Sequence, residues 1–453
     1  MESGRKLKLR VLSKEETNRV HQTTLRMLSE IGVAVQDHDT RKILREKGCR
    51  EGKGGNFLFE ETLIRDALST VPAKVVLYDR KGTVAVDTDD TLSRFSPGGN
   101  CLNVLDYQTG FHRPCLLKDI VETARLCEKL PHIDVALSLG SPSDVSPDEE
   151  ALAAVRAMVG NTSKPLAFIA HDEKESDHVW TYLSDVVGGW NSLAEKPFAL
   201  ELTGPTSPLK IGEEACRRLR RAARRRLPVV CFPGAMPGAT APVTLAGALA
   251  QFAAETLAGI VIHQLEGPGS PVLSGGGILP MDMRTGNISY GGPEYMLLCL
   301  AEVDYLQDID VPSWSGSGCS DSHTVDDQAA AEAGMNILAS ALAGTSFTHN
   351  LGFLSAGKTG SLEMLVLCDE LAGMARRFVS GMTVSEETLA FPVVAECGRT
   401  GEYLASEHTL RHFRREMWVP SMFQRSALTP WINSGSKPMR ERIREKIRSL
   451  LSE

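Results

Sequence analysis

The stretch LPVVCFPGAMPGATAPVTLAGALAQFAAETLAGIVIHQ, residues 227–264, holds in one reach the unit from which the fold is built. A short β-prone run breaks into proline and glycine, and a long apolar helix-forming segment follows. The pattern recurs along the chain. The β-prone runs are SRFSPGG (93–99), IDVALSLGSP (133–142), KPLAFIAHD (164–172), KPFALELTGPTSP (196–208), LPVVCFPGAMPG (227–238), GSPVLSGGG (269–277), VPSWSGSGCSDS (311–322) and TSFTHNLGF (345–353). Helix-length segments such as LKDIVETARLCEKL and DDQAAAEAGMNILASALAG lie between them. Alternating β and α segments call for parallel strands joined by crossover helices. Eight such units in series predict an α/β fold, a closed (β/α)8 TIM barrel. Each run turns rich in Gly, Pro, Ser or a polar residue at its C-terminal end, where barrels build their active sites. An open doubly wound sheet is the alternative, but SPGGN and SGGGI do not supply its GxGxxG.

Three regions follow. Residues 1–90 form an N-terminal helical extension. Its first helix opens on a Ser13–Glu16 capping box and stops at Gly32; a second runs near Phe59 to Thr70, before Pro72. Residues 91–380 are the barrel and catalytic domain. Residues 381–453 are a C-terminal helical segment expected to pack on the barrel.

With 453 residues and a net charge of −8, the chain has no basic surface for nucleic acid. No apolar run reaches the length of a membrane span, and MESGRKLKLRVLSKEE lacks the apolar core of a signal peptide. A cytoplasmic protein with neither nucleic-acid nor membrane partner is expected. Ten cysteines without a CxxC predict neither disulfides nor a zinc site, and no metal is expected.

The segment FTHNLGFLSAGKTGSLE, Phe347 to Glu363, carries the most informative polar residues. Strand alternation puts Phe347, His349 and Leu351 on one face, with Thr348 and Asn350 on the other if the strand stays regular. His349 then either lines a pocket or is a hydrogen-bonded core histidine. Asp321 and Ser322 in the loop SGSGCSDS read as helix caps, and Cys319 has no legible base beside it. His408 and His412 share a helix face, but a third metal ligand is missing. The seven arginines of RRLRRAARRR (217–226) read as a solvated outer helix face. Phe95, Tyr107, Phe232, Tyr290, Trp314 and Phe353 lie near predicted strand ends. Some of them fit a cage for an alkylammonium ion, the rest a core.

Several segments together resemble the trimethylamine methyltransferase family, barrel enzymes that move a methyl group from an amine to a corrinoid protein. They are MLSEIGVAV, DYQTGFHR (106–113), the Gly- and Ser-rich loop before DDQAAAEAGM, FTHNLGFLSAGKTGSLE followed by DELAGMARRF, and GEYLASEHTLRHFRREMWVP. The archetype uses pyrrolysine, and this chain has only standard residues. It therefore resembles the pyrrolysine-lacking branch, whose members demethylate quaternary amines such as glycine betaine, with others taking proline betaine or carnitine-like compounds. The resemblance implies a small quaternary amine substrate and a cognate corrinoid protein as partner. That partner supplies the cobalamin-like cofactor, and this chain binds none tightly. Association into a homo-oligomer is also expected. A quaternary ammonium leaves as a neutral amine, so such a site works by positioning and desolvation, without an acid–base pair. The resemblance assigns His349, the catalytic candidate, to the substrate carboxylate together with Asn350. Phe95, Phe347, Phe353 and Trp314 are the aromatic candidates, and Asn100 and Arg113 polar contacts. Two other readings stand beside it. A lyase or aldolase acting on a small anion needs a strand-end lysine, and Lys358, Lys164 and Lys196 are poorly placed for that. A non-catalytic binder of methylated amines needs only the binding residues.

Overall fold

A computed structural model describes residues 7–88, 92–399 and 401–452. The boundary read between the first two regions, at 90/91, lies outside them. Seven of the eight β-prone runs form parallel strands around a barrel: Arg94–Pro97, Leu166–Ile169, Ala199–Thr203, Val229–Cys231, Val272–Ser274, Trp314–Gly316 and Phe347–Leu351. The run at 133–142 fills the second position without regular strand geometry. Asp134 N and Val135 N donate to Phe95 O at 2.8 and 3.3 Å, and Ala136 bridges to Leu166, so the ring stays closed. Leu139 at φ 63° interrupts the extended backbone there, which is why the segment pairs without becoming a full strand. A bridge from Ser274 to Ser313 closes the other seam.

Each strand position is followed by an outer helix, the last being Leu362–Val379. The interior is apolar: Leu137, Ala167, Leu200, Val230, Leu273, Trp314 and Phe347 share one core. Leu77 and Val86, from an antiparallel hairpin of Val76–Tyr78 and Val84–Asp87, belong to the same core. Tyr78 N donates to Pro197 O and Arg80 N to Ser163 O, just ahead of two barrel strands. The hairpin therefore plugs the N-terminal end of the barrel, and a ligand enters at the opposite end.

The apolar segment of residues 245–264 lies in a helix, Leu245–Glu266, long and apolar enough by composition to cross a bilayer. It is nevertheless a core helix. Its residues Ala254, Leu257, Ala258, Val261 and Ile262 pack against Leu25, Leu28, Phe57 and Ile64 of the N-terminal extension. That extension starts as expected, with the Ser13–Glu16 capping box, and Gly32 ends its first helical stretch at φ 74°.

The arginine run corrects its reading as a solvated face. It lies in helix Glu213–Arg225, and Arg218 and Arg220 are buried. Arg218 Nε donates to Glu201 at 2.7 Å, and Arg220 donates to Glu266 at 2.6 Å and to Asp37 at 3.1 Å. Asp37 also caps helix His38–Glu46, so the run ties the extension to the barrel. At the other end of the chain, helix Met439–Ser452 buries Ile443 and Ile447, and Arg440 and Arg444 pair with the buried Glu363.

Candidate active site

The eighth strand departs from simple alternation at the residue that matters. Phe347 points into the barrel core and Thr348 outward, where its hydroxyl meets Ser340 at 2.8 Å. Asn350 then takes φ 77°, a left-handed conformation that Asn tolerates better than most residues. The register shifts between Thr348 and Leu351, so His349 and Asn350 both face one cavity, while Leu351 packs in the outer layer.

The cavity has a volume of about 490 Å³ and sits at the C-terminal end of the barrel. Phe232, Tyr290 and Phe353 give it three aromatic walls; His349, Asn350 and Asn100 give it polar ones. The Phe232 ring meets the His349 ring edge-on, with centroids 5.7 Å apart, and Tyr290 meets Phe353 at 6.2 Å. Phe353 lies against Gly98, where any Cβ would come within 2.0 Å of its ring. Asn350 Nδ2 donates to the Tyr295 hydroxyl at 3.3 Å, which fixes the amide's orientation.

His349 is held by the neighbouring strand, with Nδ1 2.7 Å from Ser315 O. Burial lowers its pKa to about 4 against a small opposing effect of that bond, so the ring is neutral near pH 7. A glycine loop presses on it: a Cβ on Gly276 would lie 3.1 Å from His349 Cε1. Glu302 holds this loop from behind, accepting from Gly276 N at 2.5 Å and Ile278 N at 3.0 Å. Burial pushes the Glu302 carboxyl up to about 8, against those backbone bonds. Glu302 was not singled out in the sequence; its one signal is an acid inside the apolar stretch LLCLAEVDYL.

Four sequence candidates fall outside the cavity wall. Phe95 faces the outer helices, with the Arg376 guanidinium 5.2 Å above its ring, because its strand position is odd relative to the core-facing set. Arg113 forms ion pairs with Asp106 at 2.9 Å and Asp119 at 2.7 Å, beside a separate cavity of only about 50 Å³. Trp314 and Phe347 stack at 5.5 Å in the core. Trp314 still touches the site from below, 5.1 Å from the His349 ring, and its indole N–H has no partner among the described residues.

No lysine among the described residues lines the cavity. Lys358 reaches Asn287 from an exposed loop, and Lys164 is tied to backbone carbonyls of Leu130 and Ile133. Cys319 is buried, and burial pushes its thiol well up. Among the described residues, the charged ones lining the cavity are Glu214 and Arg218, and Arg218 is committed to Glu201. The arrangement suits a small cation carrying a polar group, held by aromatic faces at one end and by His349 and Asn350 at the other.

Comparison with known proteins gives a consistent result. The family model described as trimethylamine methyltransferase (MTTB) matches residues 3–453. A trimethylamine methyltransferase of Methanosarcina barkeri is 31% identical over 98% of this chain and 91% of its own length. A glycine betaine methyltransferase of Desulfitobacterium hafniense is 29% identical over 94% of this chain and 88% of its own. Among solved structures, the monomethylamine methyltransferase of Methanosarcina barkeri superposes with a TM-score of 0.56 at 12% identity. That alignment covers all of this chain (100%) and 89% of the other.

Proposed function

The chain belongs to the trimethylamine methyltransferase family, and we propose that it moves a methyl group from a quaternary amine, glycine betaine or a related betaine, to the Co(I) corrinoid of a separate protein. The observation that carries this reading is one cavity joining three aromatic walls to His349 and Asn350. A tetraalkylammonium has no N–H to satisfy, so aromatic faces are its natural surround. The carboxylate of a betaine needs polar partners, and these stand together on the eighth strand. The relative named for glycine betaine supports the substrate class.

The Co(I) corrinoid of the separate protein would supply the nucleophile that accepts the methyl group. This chain's contribution is positioning. Phe232, Tyr290 and Phe353 hold the ammonium and exclude water, and His349 and Asn350 anchor the other end. One N–methyl group is thereby presented toward the open mouth of the barrel. The departing amine is neutral and needs no proton, so the transfer asks no acid–base pair of the lining.

The test mixes the protein with a Co(I) corrinoid protein and a panel of betaines and follows the Co(I) absorbance. Loss of the Co(I) spectrum with a betaine, and none without protein, is the expected result. A spectrum that stays Co(I) while betaine binding is measurable makes the protein a binder and overturns the transfer reading. Phe353→Ala is expected to raise KM for the betaine about tenfold, the loss of one desolvated cation–π face. An unchanged KM in the folded variant would take Phe353 out of the cage.

A further inference from the structure

We propose that this site binds a carboxylate-bearing quaternary amine only together with one proton, which His349 takes up at Nε2. The inference rests on the betaine reading above and concerns how that carboxylate is recognised.

The geometry at the ring sets the requirement. Nδ1 lies 2.7 Å from Ser315 O, and a carbonyl oxygen only accepts, so Nδ1 carries the ring's proton. In the neutral ring Nε2 is then a bare acceptor. No described residue hydrogen-bonds to it; the ring's neighbours are Phe232, Trp314 and Gly276. A carboxylate is also an acceptor. Two acceptors form a hydrogen bond only with a proton between them.

Moving the existing proton from Nδ1 to Nε2 does not solve the problem. It would set the Nδ1 lone pair against the Ser315 carbonyl in a buried site. That carbonyl belongs to the seventh strand, where Ser315 pairs with Thr348, and it cannot turn away. Protonation keeps the Ser315 bond and makes a second, charge-assisted one.

The surroundings explain why the free ring is neutral and the occupied one is not. The fifth strand presents Phe232, the sixth-strand loop presents Gly276, and the seventh strand presents Trp314 and Ser315, none of them charged. Glu302 lies behind Gly276 with both oxygens engaged by Gly276 N and Ile278 N. Tyr290 is a half-buried phenol whose pKa desolvation raises, so it stays neutral. Glu214 accepts from Glu173 N, and Arg218 is paired with Glu201. Among the described residues no carboxylate hydrogen-bonds to the His349 ring to hold a proton on it, and the ligand's carboxylate is the anion that does so. Solvent provides the proton, one N–H bond forms at Nε2, and nothing else is broken. A quaternary amine with a hydroxyl in place of the carboxylate donates directly to Nε2 and binds without a proton.

The experiment is isothermal titration calorimetry of the full chain with glycine betaine and with proline betaine, in buffers of different ionisation enthalpy. Uptake of about one proton per site is expected, with Kd rising about tenfold from about pH 6 to about pH 7. Imidazole ¹⁵N NMR is expected to show His349, assigned through His349→Gln, changing from the neutral Nδ1–H form to imidazolium on binding. Betaine binding with no proton uptake and a pH-independent Kd overturns the inference and leaves the betaine reading standing. Uptake that persists in His349→Gln and vanishes in Glu302→Gln also overturns it. Failure of both betaines to bind at about pH 6 removes the betaine reading itself, and this inference with it.

Discussion

His349→Ala is expected to lower kcat/KM for the betaine by about 100-fold or more while the protein remains folded. The size follows from what the ring does. Under the proton-coupled binding inferred above it is the charge-assisted partner of the carboxylate in a buried site, and losing such a partner costs about 2–5 kcal/mol. The structural cost is smaller. Among the described residues the His349 side chain has no ion pair and one hydrogen bond, to Ser315 O, and its ring borders an existing cavity. A loss of about 1–3 kcal/mol in stability is expected from the orphaned carbonyl and the lost packing. Activity per folded molecule separates the two effects, with circular dichroism and a melting curve as the control. A variant that melts early but keeps wild-type kcat/KM in its folded fraction would make His349 a core residue and remove it from the site.

The barrel was legible because its signal is redundant. Eight β-prone runs alternate with helices, so even the run at 133–142, which Leu139 at φ 63° keeps from strand geometry, did not hide the architecture. His349 was legible because a polar residue inside an apolar run asks for an explanation. Asn350 was named through the family resemblance alone, since alternation sends it outward and the φ of 77° returns it to the cavity. Phe232 and Tyr290 stood with Phe95 and Trp314 as strand-end aromatics. Composition cannot tell a ring above the barrel's top layer from one in its core or on its outer face. Arg113 stands away from this cavity for a similar reason: Asp106 and Asp119, both close in sequence, pair with it locally. Charged residues far apart in sequence were the least legible. Nothing in RRLRRAARRR indicates that Arg218 and Arg220 are buried, because their partners Glu201, Asp37 and Glu266 are distant and ordinary in their own segments.

That buried network carries the second large effect. Glu201→Ala is expected to destabilise the protein by about 3–5 kcal/mol, the cost of leaving a buried charge without its partner. Glu201 lies on the fourth barrel strand, fully buried, and its carboxylate accepts from Ser176 Oγ at 2.5 Å, Trp180 Nε1 at 2.7 Å and Arg218 Nε at 2.7 Å. Removing it orphans two neutral donors and a guanidinium together. Among the described residues Arg218 keeps Leu202 O, and Arg221 loses a partner 3.6 Å away. The same group gives stability a predictable pH dependence. Burial by itself raises the Glu201 pKa, and the Arg218 and Arg221 charges outweigh it, so the folded value lies below the ordinary one. A carboxyl depressed in this way contributes its full stabilisation above the unfolded pKa, about 4.3, and loses it as pH falls through the folded value. Denaturant midpoints of wild type and Glu201→Ala are therefore expected to differ most at neutral pH and to converge in acid. Equal midpoints at neutral pH would mean that Arg218 finds another acceptor and that the strand-to-helix network is not what holds this side of the barrel.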